Sequence, residues 1–254
     1  HILKPAIPEL PASTENEAFS MTVAAELGLP VAKVEARRLD TASGKPPLLL
    51  PILLIDRYDR VRVGEQIHRL HQEDFCQALG VPSTRKYQSE GGPNFKACFD
   101  LLRRVSVRPS VDLASLLDVA IVNVFIGNAD AHGKNFSLLH TPDGLRLAPF
   151  YDLMSTTHYP ELASDFAMRI GDQKDFERIR ILAWKTFATQ AGLSYPFVRK
   201  RIQSLAKGMP GACDRALAKL FRQGLDEDAL ARLAASMLQR TELVLRRIES
   251  DQAD

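Results

Sequence analysis

Residues 111–126, VDLASLLDVAIVNVFI, constrain the fold more than any other stretch. Wound as a helix, the segment is apolar on almost every side, so it has to be buried. Ser110 is its expected N-cap. Gly127 suits a C-terminal cap, and the chain then turns sharply polar: NADAHGKN carries two Asn, an Asp, a His and a Lys. FSLL, TPDG and LRLA follow. TPDG is a strong turn signal, so these residues read as a β-hairpin. A hairpin brings its ends together. Asn135 at its start and Asp152 beyond its end should therefore converge with Asp130.

Two carboxylates and an amide oxygen are hard ligands suited to Mg²⁺. Asp130 and Asn135 have four residues between them, the spacing of a kinase catalytic loop, and Asp152 has the place of the metal-binding Asp of a DFG motif. The pattern points to phosphoryl transfer, with Asp130 as catalytic base and Asn135 and Asp152 as metal ligands. His132 and Lys134 are placed to help neutralise a dense negative charge. Asp-x-x-x-x-Asn alone recurs by chance; the buried helix before it, the hairpin after it and Asp152 give it weight. The plainer alternative is a loop whose Asp and Asn cap turns.

The 254 residues suffice for one large domain or two lobes sharing a cleft. Hydrophobic residues at 45% and charged residues at 25% suit a globular protein, and a net charge of +2 gives no case for binding nucleic acid by bulk charge. Three distant cysteines without a CxxC argue against a disulfide framework and fit a cytoplasmic location. No apolar run reaches the roughly 18–20 residues that span a bilayer, so no membrane partner is expected. The chain opens without Met on residues that already resemble a strand, as a fragment would.

HILKP, VAKVEARRLD and LLLPILLID read as strands. Between the first two, Thr14 opens a helix with Glu17 three residues on, a capping box; Gly28 ends it and Pro30 follows. HQEDFCQALG reads as a short helix and VPSTRKYQSEGGPN as a polar loop. Four amphipathic helices close the chain: FERIRILAWKTFATQAG, PFVRKRIQSLAKG, CDRALAKLFRQG and DALARLAASMLQRTELVLRRIES. The expected fold class is α+β. A small β-containing lobe over 1–56 is followed by a large, mostly helical lobe over 57–254, with a hinge near 56–60.

At this point the chain resembles a known family. IGNADAHGKNFSLL followed by LAPFYDLMST is similar to the catalytic segment of the HipA-type serine/threonine kinases, toxins of bacterial toxin–antitoxin modules. HILKP, NEAF in a helix ending ELGLP, DRYDR, HQEDFCQALG and KYQSEGGP agree in the same order. The resemblance covers about residues 1–160. It implies a bilobal, protein-kinase-like fold using ATP and Mg²⁺. Lys4 would contact the ATP phosphates, and Asp56 to Tyr58 would form the hinge that holds adenine, although the family more often shows ERFD where this chain has IDRYD. Asp130 would be the base, Asn135 and Asp152 the metal ligands, and His132 would lie near the transferring phosphate. Glu17 has two readings, a partner for Lys4 or half of the capping box, and the local pattern favours the second. Arg85, Lys86 and Tyr87 would line the peptide or phosphate side. Ser155, Thr156 and Thr157 sit where kinases keep an activation loop.

Relatives of this kind act on aminoacyl-tRNA synthetases, so the implied substrate is a protein, and the implied partner is an antitoxin of the HipB type, with DNA reached only through it. The family's Gly/Ser-rich phosphate loop does not precede HILKP in this sequence. Two other readings stay open: a lipid or small-molecule phosphotransferase, whose metal site would look the same, and a non-catalytic pseudokinase or corepressor module.

Overall fold

The computed structural model describes residues 1–40 and 49–249. Strands β1 (Ile2–Pro5), β2 (Val34–Asp40) and β3 (Leu49–Ile55) form an antiparallel sheet in the order β1-β3-β2. Lys4 and Ala36 flank Leu53 in register on the central strand. Helix α1 (Ser13–Glu26) covers this sheet. All three expected strands are present.

The capping box at Thr14 is not. Helix α1 starts one residue earlier, behind Ala12 in a left-handed conformation (φ 56°), and has no side-chain cap. The Ser13 hydroxyl instead accepts from the Ile7 N–H at 2.7 Å. Freed from the cap, Glu17 reaches Lys4 on β1 at 2.6 Å. A local motif has yielded to a long-range charge pair, which gains more in a buried setting than a cap exposed to water.

Beyond β3, strands β4 (Arg60–Val63) and β5 (Gln66–Arg69) make an exposed ribbon that the sequence did not announce. Within the expected helix HQEDFCQALG the first residues are extended. Strand β6 (Gln72–Asp74) pairs with the later hairpin, and only Phe75–Ala78 is helical (α2). Asp74 makes the break, because its side chain caps the Gln77 N–H and Gln77 caps back.

Helix α3 (Phe95–Val105) leads to α4 (Pro109–Ile126). Helix α4 begins with Pro109 in its first turn, so Arg108 and not Ser110 occupies the N-cap. A proline's missing N–H is no loss there. The earlier start gives α4 18 residues and enough apolar character to cross a membrane by length and composition. It is nevertheless a core helix: Leu116, Leu117, Ile121, Val122 and Phe125 are fully buried against α3, α6, α7 and α1. Each of these large side chains contributes about 1.5–3 kcal/mol by leaving water.

Strands β7 (Ser137–Thr141) and β8 (Gly144–Leu147) form the expected hairpin and complete a β6-β7-β8 sheet. The closing helices are α5 (Ile181–Ala191), α6 (Tyr195–Phe221) and α7 (Glu227–Glu249). Two expected helices are thus one, α6, which passes through Gly208, Pro210 and Gly211 unbroken. An interior proline costs about 3 kcal/mol, and burial of Met209, Ala212, Cys213 and Ala216 around it offsets that. Helix α1 lies against both α6 and α7, so one hydrophobic core runs from the small sheet into the helical lobe.

Candidate active site

The site grows from the end of α4. Gly127 caps the helix at φ 75°, and its carbonyl accepts from the Thr157 N–H at 3.1 Å. The Thr156 hydroxyl accepts from the Ala129 N–H at 2.8 Å, and Ala167 N–H bonds the Ala129 carbonyl at 2.7 Å. The loop is therefore held on both sides before it reaches Asp130. A 3₁₀ turn, Gly133–Asn135, follows and feeds β7. At the hairpin's far end, Phe150 exchanges backbone hydrogen bonds with the stretch Pro30–Ala32. That ties the small sheet lobe to the chain two residues before Asp152.

Asp152 adopts a left-handed backbone (φ 59°), which Asp tolerates better than most residues. Its Oδ1 accepts from Lys4 Nζ at 2.6 Å and its Oδ2 from Asn135 Nδ2 at 2.9 Å. Asn135 Oδ1 in turn accepts from the His132 N–H at 3.0 Å. Lys4 also holds the buried Glu17. Burial pushes the Glu17 carboxyl up to about 6, with Lys4 working against that and Asp152 adding to it. Burial disfavours the Lys4 ammonium, but Glu17 and Asp152 outweigh it and its pKa is raised.

Asp130 is half-exposed. Its Oδ1 accepts from the Tyr87 hydroxyl at 3.0 Å, and its Oδ2 lies 3.9 Å from His132 Nε2. The Tyr87 ring meets the His132 ring edge-on at 5.5 Å. Burial lowers the His132 pKa, opposed by Asp130, so the imidazole is biased towards neutrality. The charges of Asp130 and Asp152 both act on His132 and on Lys86. Lys86 Nζ itself sits over the Tyr87 ring, 4.8 Å from its centre. The Lys134 charge is felt by Cys76 on α2, and its carbonyl accepts from the Tyr151 hydroxyl at 2.7 Å.

Two clefts border this cluster. The first, about 320 Å³, is lined by Ile2, Lys4, Glu17, Ile55, Tyr58 and Asp152 among others. Asp56 also borders it and pairs with His1 at 2.6 Å. Tyr58 lies 6.1 Å from the Tyr151 ring, and burial pushes its hydroxyl up to about 12. Asp59, buried just after Tyr58, is gripped by Arg57 and Arg60, which hold its pKa down against burial. The second cleft, about 690 Å³, holds Asp130 and Tyr87 with an apolar wall that includes Leu10, Met154, Leu162 and Phe166.

The donor set fits a nucleotide with a hard divalent cation. Asp152, Asn135 and Asp130 offer oxygens of the type Mg²⁺ takes. In the first cleft Glu17 Oε1 and Gln72 Oε1 are buried without a hydrogen-bond partner among the described residues. Polar atoms left so in a cavity suit a polar guest.

Some of what holds the site had no sequence signal. Asn16, fully buried on α1, donates to the Ser155 carbonyl at 2.9 Å and accepts from its N–H at 2.8 Å. Ser155 and Thr156 are themselves buried, so they brace the loop that carries Asp130 and are not presented as an activation loop would present them. The Thr157 hydroxyl accepts from Arg240 at 2.8 Å.

Residues 1–213 match the HipA-like C-terminal domain family. Y4mE of Sinorhizobium fredii, which bears a kinase name, is 49% identical over 245 residues, 96% of this chain and 56% of its own. The serine/threonine-protein kinase toxin HipA of Shewanella oneidensis is 31% identical over 226 residues, 84% of this chain and 50% of its own. The solved complex of Shewanella oneidensis HipA with HipB and its operator DNA superposes with a TM-score of 0.84 at 28% identity, over 99% of this chain and 60% of that one. The Helicobacter pylori proinflammatory kinase CtkA, at a TM-score of 0.64 and 12% identity over 99% of this chain and 87% of that one, shares the fold. This chain spans about half the length of the two relatives named first. Its α+β architecture is kinase-like, and the protein belongs to the HipA-like C-terminal domain family.

Proposed function

We propose that this chain is the catalytic region of an ATP- and Mg²⁺-dependent serine/threonine protein kinase. The observation that carries the reading is Asp152, held by Lys4 on one oxygen and Asn135 on the other at the edge of a nucleotide-sized cleft, with Asp130 lining a second cleft. Residues 1–56 and 57–254 are read as two lobes with the nucleotide between them. Asp56 and Tyr58 would border the adenine, Lys4 would reach the phosphates, and Asn135 and Asp152 would hold Mg²⁺. The metal, when bound, supplies charge neutralisation for the transferring phosphoryl group.

Asp130 is the one acid of the cluster that opens on the second cleft, so an acceptor hydroxyl seated there would hand its proton to a carboxylate oxygen. The Tyr87 hydroxyl steadies that carboxylate. A near-neutral His132 packs the loop without quenching the base. Lys86 joins His132 and Lys134 as a candidate for neutralising the phosphoryl charge.

The acceptor is read as a protein, an aminoacyl-tRNA synthetase being the candidate by family analogy. A HipB-type antitoxin is the proposed partner, supported by the HipA–HipB–DNA complex of the structural relative. Transfer of labelled phosphate from ATP to serine-containing acceptors tests the reading. Asp130→Asn should lower turnover by about 10²–10⁴-fold while ATP binding persists, and Asp152→Asn should lose Mg²⁺-dependent ATP binding. Labelled lipid in place of labelled protein would move the function to another substrate class. Undiminished transfer by Asp130→Asn would sink it.

A further inference from the structure

A second set of ligand-type side chains stands apart from the site just described. His71 directly precedes β6. The register Gln72–Leu139 sets it opposite His140 on β7, and the His140 N–H donates to the His71 carbonyl at 2.9 Å. Side chains two apart on a strand share a face, so Glu73 stands on the same face as His71, and His140 faces both across the pair.

The side chains converge on one point. His140 Nε2 lies 2.9 Å and His71 Nε2 3.5 Å from the same Glu73 oxygen, and the two rings are 4.6 Å apart, centre to centre. One ligand atom from each residue lies within 4.8 Å of the others. A tetrahedral site with bonds near 2.0–2.1 Å places its ligand atoms about 3.4 Å apart, so small side-chain rotations suffice to close the three around an ion. Among the described residues the ion pairs of Glu73 are with these two imidazoles alone, so no Lys or Arg competes for it.

We propose that His71, Glu73 and His140 form a binding site for a divalent transition-metal ion of the Zn²⁺ type, clamping β6 to the β7–β8 hairpin. Two imidazoles and one carboxylate favour such an ion over Mg²⁺ or Ca²⁺, which prefer all-oxygen shells. Three protein ligands leave a fourth position for water. The clamp sits between Gln72, which lines the first cleft, and the strand that starts beside Asn135. It is independent of the kinase reading, since its ligands belong to neither cleft.

The test is zinc titration of the chelator-stripped protein, followed by competition with a chromophoric chelator, by metal analysis of the isolated complex and by melting temperature. One Zn²⁺ per chain and a raised melting temperature are expected. His71→Ala, His140→Ala and Glu73→Gln should each weaken binding at least about tenfold, the lower bound for losing even an outer-shell partner. The His71 and His140 side chains are 66% and 40% exposed, so the alanine variants should keep the parent circular dichroism. Asp152→Asn should bind zinc like the parent, and excess Mg²⁺ should not displace it. Absence of binding overturns the proposal, and so does binding that survives both histidine variants or is lost in Asp152→Asn.

Discussion

Lys4 and Asp152, 148 residues apart in the chain, meet at 2.6 Å on the floor of the first cleft. The contact joins the edge strand of the small sheet to the residue just past the hairpin. Lys4 is also the only cation among the described ion pairs of Glu17. Lys4→Met therefore leaves a buried carboxylate uncompensated and Asp152 short of one donor. Breaking a buried pair costs about 3–5 kcal/mol. Lys4 is one-third exposed, so solvent screening reduces this to about 1–2 kcal/mol. Urea unfolding at neutral pH should show that loss, and ATP affinity should fall at least about tenfold. An ATP affinity equal to the parent's would show that Lys4 does not serve the nucleotide.

Glu17 makes the fold sensitive to pH. Its folded pKa is raised from 4.5 to about 6, so between those values the native state holds a proton that the unfolded chain has released. Stability on this account falls as pH rises through that window, and the loss is complete above it. A displacement of about 1.5 units corresponds to about 2 kcal/mol. The stability of the parent relative to Glu17→Gln should therefore decline by about that amount between pH 4 and pH 7 in paired urea titrations. A flat or opposite difference would mean that Lys4 outweighs burial.

Local and long-range signals differed in how far they could be read from the sequence. The hairpin was legible because TPDG encodes a turn by itself, and the meeting of Asn135 with Asp152 follows from chain geometry. The same local reading misled at Thr14–Glu17, where the capping pattern is present but the partner of Glu17 lies on another strand. It also misled at Pro210, where packing on two neighbouring helices overrides a local breaker. Lys86, far away in sequence, also feels the charge of both acids.

Tyr87 acts through Asp130. Its hydroxyl is the hydrogen-bond donor to Asp130 Oδ1, and it lies in the second cleft, where the acceptor would sit. Hydrogen bonds to charged groups contribute about 1.5–3 kcal/mol when buried. Asp130 is half-exposed, so Tyr87→Phe should lower kcat by about 3–30-fold and leave KM for ATP unchanged. The phenyl ring retains the edge contact with His132, which keeps the loop in place. A rise in KM for ATP with kcat intact would assign Tyr87 to the nucleotide instead.

Asn16 is the most demanding structural test. Its amide satisfies both the carbonyl and the N–H of Ser155, in a place where neither finds water. Ser155 follows Asp152 by three residues, and Thr156 after it holds the Ala129 N–H beside Asp130. One buried side chain on α1 therefore supports both acids from behind. Asn16→Leu keeps the branching and the heavy-atom count but leaves two buried backbone groups unpaired, at about 1–3 kcal/mol each. For a chain of this length 1 kcal/mol is roughly 2–4 °C in Tm, so calorimetry should show a fall of about 5–20 °C. Asn16→Asp is the informative partner: in the neutral form that burial favours, it still accepts from the Ser155 N–H and can donate its proton to the carbonyl, so its Tm at acidic pH should lie between parent and Asn16→Leu. Phosphotransfer, measured well below either Tm, should fall in the same order, because the loop carrying Asp130 and the segment carrying Asp152 loosen together. Full activity in a folded Asn16→Leu variant would separate the α1 clamp from the site.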